Sequence, residues 1–240
     1  MFQPFADGLR DILFPRNCIL CRQYIADQNS PQLCARCFAG IEFNRPPFCL
    51  RCSRHLDVYT VDGICRTCLK YPITFDCAWG AVNYTPPIEK LLHQFKYHQK
   101  TAVRHAFAKL ISTFIENYRI HFDGFDLLVP IPLHPVRLRE RGFNQSELLA
   151  HYVHAQTNIP ILHALNRCHP TAPQASLGQK ERWTNLQDAF RINPSININS
   201  KNILIIDDLL TTGATASSAA SALKDAGAGR VGLLVVALAP

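Results

Sequence analysis

Apolar residues in this chain fall into short runs separated by stretches with a helical repeat. From about residue 72 onward, Ala78 to Tyr84, Leu127 to Ile131, Ile159 to Leu165, Ile203 to Ile206 and Val231 to Leu238 are brief and apolar, which is the pattern of strands buried in a sheet. Between them, Ile88 to Phe95, Ala102 to Tyr118 and Ala214 to Lys224 carry apolar residues at helical spacing. Strands alternating with helices predict an α/β fold with a mostly parallel sheet flanked by helices. The first 70 residues read differently. Apart from an amphipathic start (Phe2, Phe5, Leu9, Ile12, Leu13) they offer few apolar side chains, so they need another source of stability. The 240 residues therefore divide into a small unit over 1–70 and an ordinary-sized one over 71–240.

Cysteine spacing supplies that source. Eight of the ten cysteines form four C-x2-C pairs: Cys18 and Cys21, Cys34 and Cys37, Cys49 and Cys52, Cys65 and Cys68. The first two pairs and the last two have the same spacer, so C-x2-C-x12-C-x2-C occurs twice and predicts two four-cysteine zinc ribbons, each binding one structural Zn²⁺. Equal spacers within each half favour ligands paired in sequence over a cross-braced arrangement. Disulfides are the competing use of paired cysteines. Asp7, Arg10 and Asp11 interrupt what would have to be a signal core, so the expectation is a cytoplasmic protein with metal-bound thiols. Cys77 and Cys168 have no such partner and read as small buried residues. No apolar run is long enough for a membrane span.

Ile203 to Thr215 reads I-L-I-I-D-D-L-L-T-T-G-A-T. A buried strand runs into two carboxylates, then into a loop opening a helix, the place where open α/β sheets bind ligands. The N–H groups of Thr211, Thr212, Gly213, Ala214 and Thr215, with the positive end of the helix dipole, make a seat for phosphate. A Walker loop would need Lys after its second Gly, and a dinucleotide fingerprint would need three spaced glycines; neither is present. Carboxylates suit sugar hydroxyls and hydrated Mg²⁺ better than phosphate. Asp207 and Asp208 would thus face ribose hydroxyls while a 5-phosphate sits on the loop. The segment resembles the phosphoribosyl pyrophosphate (PRPP) signature of type I phosphoribosyltransferases, which bind PRPP with Mg²⁺.

The formal charge of +7 is spread along the chain rather than gathered in a tail. It concentrates twice: Lys96, Lys100 and Arg104 among His93, His98 and His105, then Arg137, Arg139 and Arg141 after His134. Such groups can grip pyrophosphate or a nucleic-acid backbone, or they can be a solvated face. The arginines follow Leu128 to His134, where Pro130 and Pro132 cannot supply ladder donors and turn the chain outward.

Taken together, that segment, the F-K-Y of Phe95 to Tyr97, the pattern through Arg167, Gln174, Leu177, Arg182 and Asn185, and the four cysteine knuckles are similar to the competence protein F (ComF) family. The resemblance runs from Cys18 to about Leu238. It implies a double zinc ribbon joined to a phosphoribosyltransferase domain, with Leu133 and His134 in the pyrophosphate loop beside the arginines. It also implies a role in natural transformation, where incoming single-stranded DNA is handled in the cytoplasm with helicase-like and recombination proteins. Two readings stay open. The chain is a DNA-uptake protein with a PRPP-binding domain, its bases stacking on aromatics such as Tyr97 or Phe143. Alternatively it is an active transferase moving ribose 5-phosphate from PRPP to a nitrogen nucleophile.

Overall fold

The computed structural model describes residues 16–27, 32–56, 60, 62–97, 102–168 and 189–240. The amphipathic start, His98, Lys100, Gln174, Leu177, Arg182 and Asn185 lie outside the described residues, as does the side chain of Tyr97.

In each ribbon a short helix starts after the first cysteine of the second pair and carries the other, α1 (Ala35–Ala39) with Cys37 and α2 (Arg66–Lys70) with Cys68. The α/β part then runs β1 (Cys77–Asn83), α3 (Pro86–Tyr97), α4 (Val103–Tyr118), β2 (Leu127–Pro130), α5 (Pro135–Arg141) and α6 (Gln145–Thr157). It continues through β3 (Leu165–Arg167), β4 (Phe190–Ile192), β5 (Ile203–Leu210), α7 (Ala214–Asp225) and β6 (Val231–Leu238). β1, β6, β5 and β2 form one four-stranded sheet in that order, with every pairing parallel. The apolar runs of β5 and β6 have no polar face because both of their faces are covered. Ile203 and Ile205 enter one core with α7, while Leu204 and Ile206 enter the other with α3, α4 and α6.

Two expectations change. Ile159 to Leu165 is not a single core strand: Ile161 makes an isolated parallel bridge to Leu128, and Leu165 begins β3, which pairs antiparallel with β4 in a separate ribbon. Pro160 inside the run cannot donate to a ladder, so pairing is confined to the residues around it. The strand over Ile203 to Ile206 is longer than its apolar run. β6 offers partners up to Leu238, so the ladder continues through Asp207 (opposite Val235) to Leu210 (opposite Leu238).

The ribbons join the same cores. Cys18, Ile25, Leu33 and Ile41 pack in the cluster with α3 and α4, and Cys49, Cys52, Leu56 and Cys68 in the cluster with α7. The link between the ribbons covers the free edge of β1, with Asn44 N–H donating to Ala81 O (3.0 Å) and Asn83 N–H to Glu42 O (2.9 Å). Among the described residues, no helix is long and apolar enough to cross a membrane.

Near the opposite end of the sheet, Trp79 stacks edge-on against Phe122 (5.2 Å) and Phe125 (5.9 Å) directly over Gly232. A Cβ on Gly232 would lie 2.6 Å from Phe125 Cζ, so Gly232→Ala should force these rings apart. The expected cost is about 1–3 kcal/mol, measured by urea unfolding followed through tryptophan emission. An unchanged midpoint would show that the aromatic cluster yields freely.

Candidate functional site

The cysteines form two separate quartets, Cys18, Cys21, Cys34, Cys37 and Cys49, Cys52, Cys65, Cys68, each with its sulfurs within 4.8 Å of one another. The arrangement is sequential rather than cross-braced. Sulfur separations of 3.6 Å (Cys21 to Cys34), 3.5 Å (Cys52 to Cys65) and 3.9 Å (Cys49 to Cys68) are too long for disulfides. They match the roughly 3.8 Å edge of a tetrahedron with Zn–S of about 2.3 Å, so the quartets fit Zn²⁺.

The second quartet repeats the first with every position shifted along the chain by the same interval. Arg22 N–H and Ser53 N–H close the first knuckles onto Cys18 O and Cys49 O (2.9 and 3.0 Å), and both residues adopt positive φ (66° and 65°). Cys34 N–H donates to Cys18 Sγ (3.4 Å) as Cys65 N–H does to Cys49 Sγ (3.3 Å). Burial would raise the Cys18 thiol, but the amides of Cys21, Cys34 and Leu20 outweigh it and hold it at about 6. Hydrogen bonds from Cys52, Cys65 and Cys68 pull Cys49 well below the usual thiol range. In each ribbon these donors favour thiolate at the first cysteine, as a cation site requires.

The second site is a cleft of about 720 Å³ at the carboxyl ends of the strands. Its floor is the acidic pair. Asp207 accepts from Ser146 Oγ (3.0 Å) and from the N–H of Asp208 (2.9 Å), while Asp208, only 6% exposed, pairs with Lys96 Nζ at 3.0 Å. Burial first, and the charge of Asp208 second, push Asp207 up to about 6. Burial opposes the charge on Lys96, but Asp208 beside it outweighs that and raises its pKa. These carboxylates are built into β5 and half-buried or buried, not solvent-facing at a strand end.

At the end of β5, Thr211, Thr212 and Gly213 turn into α7 and line the cleft together with Thr215. Gly213 has φ 86° and caps the helix N-terminus, a conformation open to glycine without strain. Thr212 Oγ1 accepts from Ala214 N–H (3.4 Å). Ala214 itself is buried and outside the cleft, so it supplies the helix start rather than a wall.

The opposite wall is α5, a helix within what reads as a loop. His134 caps it, its Nδ1 accepting from Val136 N–H (3.3 Å), Pro135 occupies its first turn, and Gly142 ends it at φ 77°. His134 is therefore a cap and not part of the cleft lining, whereas Leu133 lines it. Arg137 and Arg141, one turn apart, also line it; Arg139, between them, is exposed elsewhere. Arg141 donates to Gln145 Oε1 (3.1 Å), and Gln145, 2% exposed and lining the cleft, has no hydrogen-bond partner for its Nε2 among the described residues. Arg167 joins them from β3, and burial together with Arg137 and Arg141 lowers its pKa despite Asp207. Phe143, half-buried, packs against Phe95 (5.6 Å).

Sequence reasoning missed several cleft residues. Tyr84 and Glu89 come from the turn before α3 and its first turns, and Gln145 and Ser146 from the start of α6; His93, noted only within a basic stretch, lines the cleft from the later part of α3. The signal available for Glu89, His93 and Lys96 was their spacing of one to two helical turns.

Comparison with known proteins gives a consistent set of relatives. Residues 9–69 match the double zinc ribbon domain family. The DNA utilization protein YhgH of Escherichia coli is 31% identical over 174 residues, covering 70% of this chain and 74% of that protein. Competence protein F of Haemophilus influenzae is 29% identical over 220 residues, covering 89% and 93%. Competence protein ComFC of Bacillus subtilis is 29% identical over 200 residues, covering 82% and 79%.

Two measurements check these sites. Elemental analysis should find two zinc ions per chain and one in Cys34→Ser, whose ribbon should become protease-sensitive because the metal supplies much of its folding free energy; one zinc or none in the parent would contradict the quartets. For the acidic pair, a folded pKa raised from 3.8 to about 6 means that the stability from this proton is present below pH 3.8 and lost as pH rises through 6. Asp207→Asn is neutral at every pH and keeps its oxygen acceptor. Its melting temperature, without ligand, should therefore rise above the parent's between pH 4 and 6 and stay above it to pH 8. Parallel melting curves across that range would remove the charge argument.

Proposed function

This chain belongs to the competence protein F family, and on that premise we propose that it serves DNA uptake in the cytoplasm, with its cleft binding PRPP. One observation carries the reading: a single cleft joins a helix-N-terminal turn rich in hydroxyls, an adjacent acidic pair and three converging guanidiniums. PRPP has the complementary parts. Its 5-phosphate suits Thr211 to Thr215, its ribose hydroxyls suit Asp207 and Asp208, and its pyrophosphate suits Arg137, Arg141 and Arg167, with Mg²⁺ shared between pyrophosphate and sugar. Lys96 already holds Asp208 and would stay beside the sugar.

Single-stranded DNA is assigned to the ribbons rather than to α5. Arg137 and Arg141 are committed to the cleft, while Arg22, Arg36, Arg45 and Arg66 on the ribbons are exposed and Tyr24 presents 55% of its surface. Cations that follow a backbone and a ring that stacks a base are the chemistry of sequence-tolerant single-strand binding. Competence helicase-like and recombination proteins are the expected partners.

The transferase reading keeps one specific support. Glu89 and His93 line the same cleft from α3, one helical turn apart, which places acid–base groups where a nitrogen nucleophile could enter. Pyrophosphate release from PRPP in the presence of candidate acceptors, abolished in Glu89→Gln, would establish it.

The main test separates the two ligands. Arg137→Ala with Arg141→Ala should abolish measurable PRPP binding by calorimetry and leave single-strand affinity and its salt dependence unchanged. Arg22→Ala, Arg36→Ala and Arg66→Ala together should leave PRPP binding intact and lower the log–log salt slope by about 2, at roughly 0.7 per phosphate contact. Failure of the parent to bind PRPP would overturn the cleft reading. A slope that falls only with the α5 pair would return the DNA surface to that helix.

A further inference from the structure

We infer that Arg54 is a positioning residue through which the second zinc quartet holds the phosphate loop, so that zinc at Cys49, Cys52, Cys65 and Cys68 and a phosphorylated ligand at Thr211 to Thr215 strengthen each other's binding. This rests on the PRPP reading of the cleft and adds to it a dependence on one of the two metals.

The guanidinium of Arg54 spans three parts of the chain. Nη1 donates to Cys52 Sγ (3.4 Å), Nε to Ala239 O (2.8 Å) just beyond β6, and Nη2 to Thr211 O at the start of the phosphate loop. Ala239 N–H in turn donates to Leu210 O (2.9 Å), so the fork ties the last residue of β5 and the first of the loop to the ribbon. A trans peptide keeps its C=O and N–H in one plane, pointing in opposite directions. Holding Thr211 O toward the ribbon therefore directs Thr212 N–H the other way, to the side where Thr212 and Gly213 line the cleft.

Of the three acceptors, the Cys52 sulfur is the one that would carry negative charge once zinc is bound. Four thiolates around Zn²⁺ keep a fixed geometry and a net charge of −2, which suits a guanidinium held away from bulk water. The first ribbon provides the comparison. The position equivalent to Arg54 is Gln23, which is exposed and whose side chain, among the described residues, accepts from Cys21 Sγ of its own knuckle at 3.8 Å. The two ribbons share backbone geometry, and only the second places an arginine between a ligand sulfur and the cleft. Linkage then requires reciprocity: what zinc does for the loop's ligand, that ligand does for zinc.

The experiment uses the full chain loaded with both metals. Zinc release to a zinc-selective chelator is followed with and without saturating Mg²⁺-PRPP, and PRPP affinity is measured by calorimetry. PRPP should slow release of one zinc about fivefold or more and leave the other unchanged. Arg54→Gln, which copies the first ribbon, should keep both metals, lose the protection and bind PRPP more weakly by a similar factor. Arg54→Lys should not restore the protection, because a point charge cannot hold three acceptors in one plane. If Arg54→Gln fails to fold, Cys65→Ser serves instead: it should weaken PRPP by that factor, and Cys34→Ser should not. A parent that binds PRPP while its zinc release is indifferent to it would overturn the coupling and leave the cleft reading standing. A parent that binds no PRPP would overturn both.

Discussion

Two adjacent carboxylates sit on a strand whose backbone is committed to the sheet, and the rest of the molecule is arranged around the cost of keeping them there. Asp207 and Asp208 cannot move apart, because the ladder to β6 continues past them to Leu210. Unpaired, two such charges at a buried strand end would be driven to protonate. Lys96 from α3 pairs with Asp208, whereas Asp207 accepts from Ser146 and the Asp208 amide and, through burial first and the neighbouring Asp208 second, keeps a raised pKa. The helices that cover the sheet are therefore also the ones that supply its counter-charges, which is why the cleft lies where α3, α5 and α6 meet the strand ends.

The parts of this plan that depend on local chemistry were legible in the sequence. C-x2-C spacing names its ligands because two knuckles close one tetrahedron, and D-D-L-L-T-T-G places a turn and a helix N-terminus after an acidic strand. Elsewhere the residues carried the signal and a coarser pattern hid it. Pro160 divides the run from Ile159 to Leu165, although hydrophobicity alone makes it continuous. His134, Pro135 and Gly142 are a cap, a first-turn residue and a helix end; read as such, they make α5 a helix and put Arg137 and Arg141 on one face with Arg139 off it. What no local pattern could reveal is contact between distant segments. Arg54 meets Thr211, Arg167 meets the α5 arginines, and Ser146 meets Asp207, each across a gap that only the tertiary fold closes.

The repeated ribbons show how duplication separates structural from other roles. Wherever both copies do the same thing, as with positive φ at Arg22 and Ser53 or the amide bonds to Cys18 and Cys49, the requirement is that of the metal knuckle itself. Where they differ, the surroundings impose the difference. The first ribbon packs with α3 and α4, with Lys90 donating to Leu20 O (2.9 Å), whereas the second packs with α7 and reaches the phosphate loop. The link that covers the β1 edge between them fixes which ribbon meets which core.

Apart from the Lys96–Asp208 ion pair, the cleft carries its arginines and its acidic pair on separate elements. Arg137, Arg141 and Arg167 could approach the acidic pair and cancel it, yet Arg141 is held by Gln145, and the Arg167 guanidinium rests over the Phe190 ring (5.5 Å). Gln145 and Phe190 thus hold two of the three guanidiniums on their own elements, with the acidic pair on β5. A ligand with anionic groups at one end and hydroxyls at the other relieves both at once, because phosphate oxygens accept from the guanidiniums while hydroxyls donate to the carboxylates. A purely anionic ligand would meet Asp207 and Asp208, and a neutral sugar would offer the arginines no anion. The proposed sugar-phosphate ligand thus rests on the placing of charge across the cleft rather than on any single residue in it.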